Sequence, residues 1–144
     1  MIDRRKFIKS LSSLGISLPL LKAKSFTNTA QNKKMNNPII LCSRGKDWAE
    51  DVLKPGWDIL RKNGSLLDAI EKSANVTELD PRDTSVGYGG LPNEDGVVQL
   101  DASIMYGPNH NCGSVAALEG IKTPSSVARL VMERTDHIHL VAEG

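Results

Sequence analysis

At 144 residues, with 40% hydrophobic and 24% charged residues, the chain has room for one ordinary globular domain and too little for two. Its 18 Lys and Arg against 17 Asp and Glu create no field that would recruit nucleic acid or an anionic membrane, so composition excludes both as charge-driven partners. Aromatic residues amount to only 4%, so the core must rest on Val, Ile, Leu and Ala and is expected to be small.

The N-terminus reads as an address. Asp3-Arg4-Arg5-Lys6-Phe7-Ile8-Lys9 precedes an apolar, serine-spaced stretch from Leu11 to Leu21, and small residues follow from Ala23. With Gly15 and Pro19 inside it, that stretch is shorter than the roughly 20 residues a bilayer span needs. The pattern resembles a twin-arginine export signal over residues 1–30, with Arg4 and Arg5 as its signature; it implies the twin-arginine export machinery as a partner and a periplasmic or secreted protein. Both Ala23-Lys24-Ser25 and Thr27-Asn28-Thr29-Ala30 fit as cleavage regions. Residues 31–37 are a polar linker, and residues 38–144 form the domain.

Pro38-Ile39-Ile40-Leu41-Cys42 is a short, β-branched apolar run opened by proline, and it predicts a buried first strand. From Asp47 to Asn63 the apolar residues fall near helical spacing, with Pro55-Gly56 expected to kink or split the helix. Asn63-Gly64 closes it, and Ser65 with Asp68 three residues later has capping-box spacing for a helix from Leu66 to about Leu79. Its expected apolar face is Leu66, Leu67, Ala69, Ile70, Ala74 and Thr77, and Asp80-Pro81 stops it. Gly87, Gly89 and Gly90 lead into a strand rather than a helix, which argues against a phosphate loop and for positive φ or close chain approach. A turn at Asn93 to Gly96 precedes a strand over Val97 to Met105, and Gly107-Pro108-Asn109 returns the chain antiparallel over Cys112 to Leu118. Thr123 is a suitable N-cap with Pro124 at the first helical position, for a helix ending near Thr135; His137 to Val141 then forms a strand. The order implies an α+β fold with a mainly antiparallel sheet.

The chemical inventory is thin. His137 and His139 lie two apart with His110 as a third candidate ligand, but no acidic or cysteine spacing completes a metal set, and an edge strand's solvent face explains them as well. Cys42 and Cys112 read as buried free thiols. Asp101 suits backbone hydrogen bonding better than general-base work.

Ser85-Val86-Gly87-Tyr88-Gly89-Gly90-Leu91-Pro92, Leu100-Asp101-Ala102-Ser103-Ile104-Met105, Cys112-Gly113-Ser114-Val115-Ala116 and Val127-Ala128-Arg129-Leu130-Val131-Met132-Glu133, with Thr135 and His137, together resemble the glycosylasparaginase family of amide hydrolases. The resemblance implies an N-terminal nucleophile hydrolase with a four-layer α-β-β-α sandwich, made as one precursor that cuts itself into two subunits. It implies a threonine nucleophile exposed by that cut, its own α-amino group as general base, and an acyl-enzyme that releases aspartate from a glycosylated asparagine or similar small substrate. It implies no metal or organic cofactor.

The match runs over about residues 38–144, the larger part of the family's first subunit. The family's His-Asp-Thr scissile sequence does not occur here; Asp83-Thr84 lies too far upstream, and His110-Asn111-Cys112 sits at a hairpin return. The family's arginine and aspartate that grip the substrate belong to the second subunit, and Arg44 stands about where the family often has a pocket tryptophan, with Trp48 an open substitute. No catalytic, metal-binding or firm substrate-binding residue is therefore expected among these residues, and by themselves they are expected to be inactive. The missing C-terminal portion would be the main partner. Half a sandwich should also expose an apolar sheet face and an open edge, favouring a homo-oligomer, aggregation or a partner chain. Plant-type L-asparaginase or isoaspartyl peptidase, and a non-catalytic periplasmic binding module, are the alternative readings.

Overall fold

In the computed structural model, which describes residues 37–141, the chain runs α1 (Lys46–Arg61), α2 (Leu66–Glu78), β1 (Leu100–Tyr106), β2 (Asn111–Leu118), α3 (Pro124–Arg134) and β3 (His139–Val141). The export signal with Arg4 and Arg5 lies outside the described residues.

β2 is the central strand. It pairs antiparallel with β1 (Ala102 opposite Val115, Ile104 opposite Gly113) and parallel with β3 (Val115 opposite Leu140). A 3-10 turn at Gly107–Asn109 joins β1 to β2 and ends on His110 at φ 56°. Period-2 alternation sends Leu100 and Ile104 of β1 and Val115 of β2 inward, and α3 covers that face with Ala128, Val131 and Met132. Leu67 of α2 closes the same cluster. Gly113 is required there, because a Cβ on it would stand 2.3 Å from the Ala128 carbonyl oxygen and 2.5 Å from the Met132 nitrogen.

The opposite sheet face is open and mixed. Asp101, Ser103 and Met105 of β1 and His139 and Val141 of β3 are exposed on it, so the expected apolar face is in fact half polar. Among the described residues there is one three-stranded sheet, so the helix-and-sheet mixture agrees with an α+β fold while a second sheet is not part of what is described.

Several local expectations need correction. Pro38–Cys42 is neither helix nor strand and pairs with no strand among the described residues; Ile39 and Leu41 are 79% and 85% exposed, while Ile40 lies against Gly56 of α1. Apolar, β-branched composition prepares such a run for pairing, and the ladder itself requires a neighbour that these residues do not supply. Pro55 neither splits nor ends α1, which is one 16-residue helix. The lost backbone bond and ring clash cost about 3 kcal/mol, offset by burying Val52, Gly56 and Leu60. Gly56 sets the approach of α1 to α2, since a Cβ there would meet Ser73 Oγ at 2.3 Å and the Ala69 carbonyl oxygen at 2.6 Å. On α2 the expected face holds at Leu67, Ala69 and Thr77, but Leu66 and Ile70 are exposed, and Ser73 and Glu78 are buried instead. β1 begins at Leu100 rather than Val97, and β3 at His139 rather than His137; β3 pairs parallel to β2.

Ser65 does cap α2, its Oγ accepting the Asp68 backbone N–H at 3.4 Å. The return bond of a capping box is replaced by a tertiary one. The Asp68 carboxylate accepts from Arg129 Nη1 at 2.7 Å, and the same nitrogen donates to Glu71 at 2.6 Å while Arg129 Nε donates to Glu133 at 2.9 Å. Burial alone would lower the Arg129 pKa, but bonds to Glu133, Asp68 and Glu71 raise it further above its ordinary value. Arg129→Met, which keeps the stem and removes the fork, is expected to lower stability by about 2 kcal/mol, measured by chemical denaturation.

Candidate functional site

The residues between α2 and β1 fold back over the last turn of α2, and that junction gathers most of the polar tertiary contacts. Asp80 ends the helix, accepting from the Arg82 backbone N–H at 2.9 Å and binding its guanidinium at 3.0 and 2.7 Å. The side-chain bond from Arg82, with its backbone bond second, draws the Asp80 carboxyl down to about 2. Arg82 also lies over the Trp48 ring at 5.8 Å, which ties the loop to the start of α1.

Asp83 is 5% exposed and takes the role of internal anchor. Its Oδ1 accepts the Ser85 backbone N–H at 2.8 Å and the Ser85 hydroxyl at 2.5 Å, and its Oδ2 pairs with Arg44 Nη1 at 2.7 Å. Arg44 Nη2 donates to Ser85 Oγ at 2.9 Å, closing a three-residue ring across 41 positions of sequence. Burial would raise the Asp83 carboxyl, but the Ser85 bonds and the Arg44 charge outweigh it and hold it below its ordinary value of 3.8. A carboxyl depressed on folding adds stability that is full above its unfolded pKa and is lost as pH falls through the folded one. Thermal melting should therefore show an acid-labile component below about pH 4 that Asp83→Asn removes.

The Gly-rich segment follows as a 3-10 turn over Gly87–Gly89. Gly87 has φ +61°, and a Cβ on it would come within 2.1 Å of the Glu78 carbonyl oxygen, so both backbone sign and space demand glycine. A Cβ on Gly89 would meet the Asp83 carbonyl oxygen at 2.3 Å. Close approach, anticipated from the glycine spacing, is thus what these residues provide. Tyr88 between them stays 53% exposed, with Lys122 Nζ 4.1 Å from its ring centre.

Below the loop, the Glu78 side chain organises α3. Thr123 precedes Pro124 as expected, yet its side chain caps nothing. Instead, buried Glu78 accepts the Ser125 backbone N–H at 3.0 Å, the Ser125 hydroxyl at 2.9 Å and Asn75 Nδ2 at 2.9 Å. A carboxylate supplied by another helix neutralises the positive end of α3 and satisfies its orphan donors. One helix turn therefore supports the Gly-rich loop with its backbone and caps α3 with its side chain.

The other candidates lie apart from this junction. Asp101 accepts the Ala117 N–H at 2.8 Å and stabilises a bulge in which Ala117 has φ 52°, which makes it a backbone partner as expected. His139 Nδ1 is 2.7 Å from Ser114 Oγ, and that hydroxyl donates to the Ile138 carbonyl at 3.0 Å. With the Ile138 carbonyl as its acceptor, the hydroxyl can receive an N–H from His139 when the imidazole carries its proton on Nδ1, and the roles reverse in the other tautomer. His110 occupies the hairpin corner and His137 precedes β3; among the described residues no group of three His, Cys, Asp or Glu side chains could hold a metal. Cys42 and Cys112 are free thiols, half-buried rather than buried. Asp83 of Asp83-Thr84 belongs to the Arg44 ring, and Asn111 of His110-Asn111-Cys112 binds the Met132 carbonyl oxygen at 3.2 Å. Trp48 meets Arg82 and stands beside the loop rather than in a closed pocket. A groove of about 680 Å3 runs along α1 past Ile40, Leu53 and Trp57, and no Ser, Thr or Cys is among its lining residues. The junction therefore has the chemistry of a scaffold: ion pairs, caps and close backbone contacts, with the Glu78, Asp80, Arg82, Asp83 and Ser85 side chains all engaged.

The profile of a family described as asparaginase matches residues 28–144. The chain is 46% identical over 144 residues to an N(4)-(β-N-acetylglucosaminyl)-L-asparaginase from Elizabethkingia miricola, covering 99% of this chain and 42% of that protein. It is 49% identical over 89 residues to a plant-type L-asparaginase from Pyrococcus horikoshii, covering 62% and 28%, and 45% identical over 93 residues to an isoaspartyl peptidase/L-asparaginase from Xenopus laevis, covering 65% and 29%. The chain spans less than half the length of each of these relatives.

Proposed function

Because the chain belongs to the asparaginase family, whose relatives are asparagine-amide hydrolases, we propose that it forms the N-terminal part of a glycosylasparaginase-like enzyme that cleaves the side-chain amide of a glycosylated asparagine. The observation that carries this reading is the extent of the match. Similarity to the glycosylasparaginase runs over 99% of the chain, whereas similarity to the plant-type and isoaspartyl enzymes runs over 62–65%.

In this reading the nucleophile is a threonine beyond residue 144, exposed by self-cleavage and activated by its own α-amino group. Its hydroxyl attacks the asparagine carbonyl, the glycosylamine leaves, and water releases aspartate from the acyl-enzyme. The scaffold chemistry of the Gly87 junction accords with that division: these residues contribute a braced loop and sheet, and the reacting groups come from elsewhere. The open, mixed sheet face with Ser103, Met105 and His139 would receive the second sheet of a four-layer sandwich. Export through Arg4 and Arg5 would place the enzyme in the periplasm or outside the cell.

The second reading, a plant-type asparaginase, draws on the 49% identity over its shorter match. Replacing the cleavage-site threonine of the intact protein by alanine should leave one uncut, inactive polypeptide; mass spectrometry showing continued processing would refute the mechanism.

A further inference from the structure

We propose that Arg44 is a positioning residue: by fastening segment 38–43 to Asp83 and Ser85, it sets the geometry in which the Gly-rich loop meets substrate. The inference rests, in its catalytic consequence, on the amidohydrolase reading.

The geometry is that of a fork. Arg44 Nη1 reaches Asp83 Oδ2 at 2.7 Å while Nη2 reaches Ser85 Oγ at 2.9 Å, a two-point grip that a lysine nitrogen cannot reproduce. Asp83 is buried at one end of the grip, with 3% of its side chain exposed, and Arg44 keeps 32%. Among the described residues the segment that Arg44 terminates pairs with no strand, and Ile40 against Gly56 and Arg44 on the loop are its side-chain anchors. On the other side, the loop closes on itself through the Leu91 N–H to the Thr84 carbonyl at 3.3 Å and the Gly90 N–H to the Gly87 carbonyl at 3.1 Å. Its attachment to the rest of the fold includes Gly87 seated on Glu78 and the Arg44 ring. Because Asp83 already neutralises it, Arg44 is not a free cation for an anionic ligand. Its influence must pass through Ser85 and the loop, and loops braced on a rigid scaffold are where recognition residues sit.

The test uses the intact protein with Arg44→Met, Arg44→Lys and Ser85→Ala. In Arg44→Met, amide hydrogen exchange over residues 85–91 should accelerate about tenfold, with α1 and α2 unchanged, in line with losing charge-assisted bonds. KM for N4-glycosylated asparagine should rise several-fold while kcat stays within about twofold, and Arg44→Lys should recover part of both effects. Ser85→Ala, which removes only the loop end of the grip, should give a smaller effect confined to the same amides. Unchanged exchange at residues 85–91, loosening spread equally over α1 and α2, or a loosened loop with unaltered KM would each overturn the proposal. Should Arg44→Met fail to fold, the Ser85→Ala exchange pattern decides it by the same criteria. An inactive wild type would refute the enzymatic reading, and the exchange result would still decide whether Arg44 holds the loop.

Discussion

Replacing Glu78 with alanine should lower stability by about 3 kcal/mol, a large part of the 5–15 kcal/mol on which an ordinary domain rests. The Ser125 backbone N–H and hydroxyl lose their acceptor together, and Asn75 Nδ2 keeps only the longer bonds to Ser125 and Ser126 Oγ at 3.2 and 3.3 Å. Ser125 is 9% exposed and Pro124 is fully buried, so water cannot readily replace the carboxylate at the start of α3. Loss of negative charge at that helix end adds a dipole term in the same direction. Glu78→Gln keeps an acceptor oxygen and should recover about half of the loss. Urea denaturation of the three proteins, compared at constant m-value, gives the numbers.

Gly113→Ala should be at least as damaging, at about 3 kcal/mol or more. The added methyl would face three atoms of α3: the Ala128 carbonyl oxygen at 2.3 Å, the Met132 nitrogen at 2.5 Å and Met132 Cβ at 2.8 Å. Two of these are helix backbone, which cannot swing aside as a flexible side-chain tip can. The helix must lift from β2, uncovering the cluster around Val115, Ala128 and Val131. Gly107→Ala is the matched control, since a Cβ there meets nothing within 4 Å and its φ is unexceptional; its thermal midpoint should remain near wild type.

Features written in a few adjacent residues are legible in the amino-acid sequence alone. Ser65 at a helix start, Asp80-Pro81 at a helix end, Gly107-Pro108-Asn109 at a hairpin and Pro124 at a first turn each act within a few residues of their own position, and each stands where expected. Asp101 is legible for a related reason, a polar residue within an apolar strand needing a nearby backbone donor. Features that depend on a partner far along the chain are not. Pro38–Cys42 has the composition of a strand and lacks a neighbour among the described residues; Pro55 reads as a break because the packing of α1 on α2 that carries the helix through it is tertiary. Glu78 is indistinguishable in sequence from a solvated glutamate near a helix end, and its role emerges only when Ser125, 47 positions away, is brought beside it. The Arg44 ring is hidden for the same reason. Arg44, Asp83 and Ser85 are unremarkable singly, and only the charge match of Arg44 with Asp83 offers a hint.

The same division between local and distant contributions applies to function. Family membership rests on residues 28–144, while the reacting groups proposed for the enzyme lie outside them. The most direct test is release of aspartate from N4-(β-N-acetylglucosaminyl)-L-asparagine, measured side by side for the intact protein and for residues 1–144 expressed alone. Turnover by the intact protein and none by the shorter chain is the predicted result. Aspartate released by residues 1–144 alone, or an intact protein inert toward glycosylated asparagine, free asparagine and β-aspartyl peptides, would contradict the account.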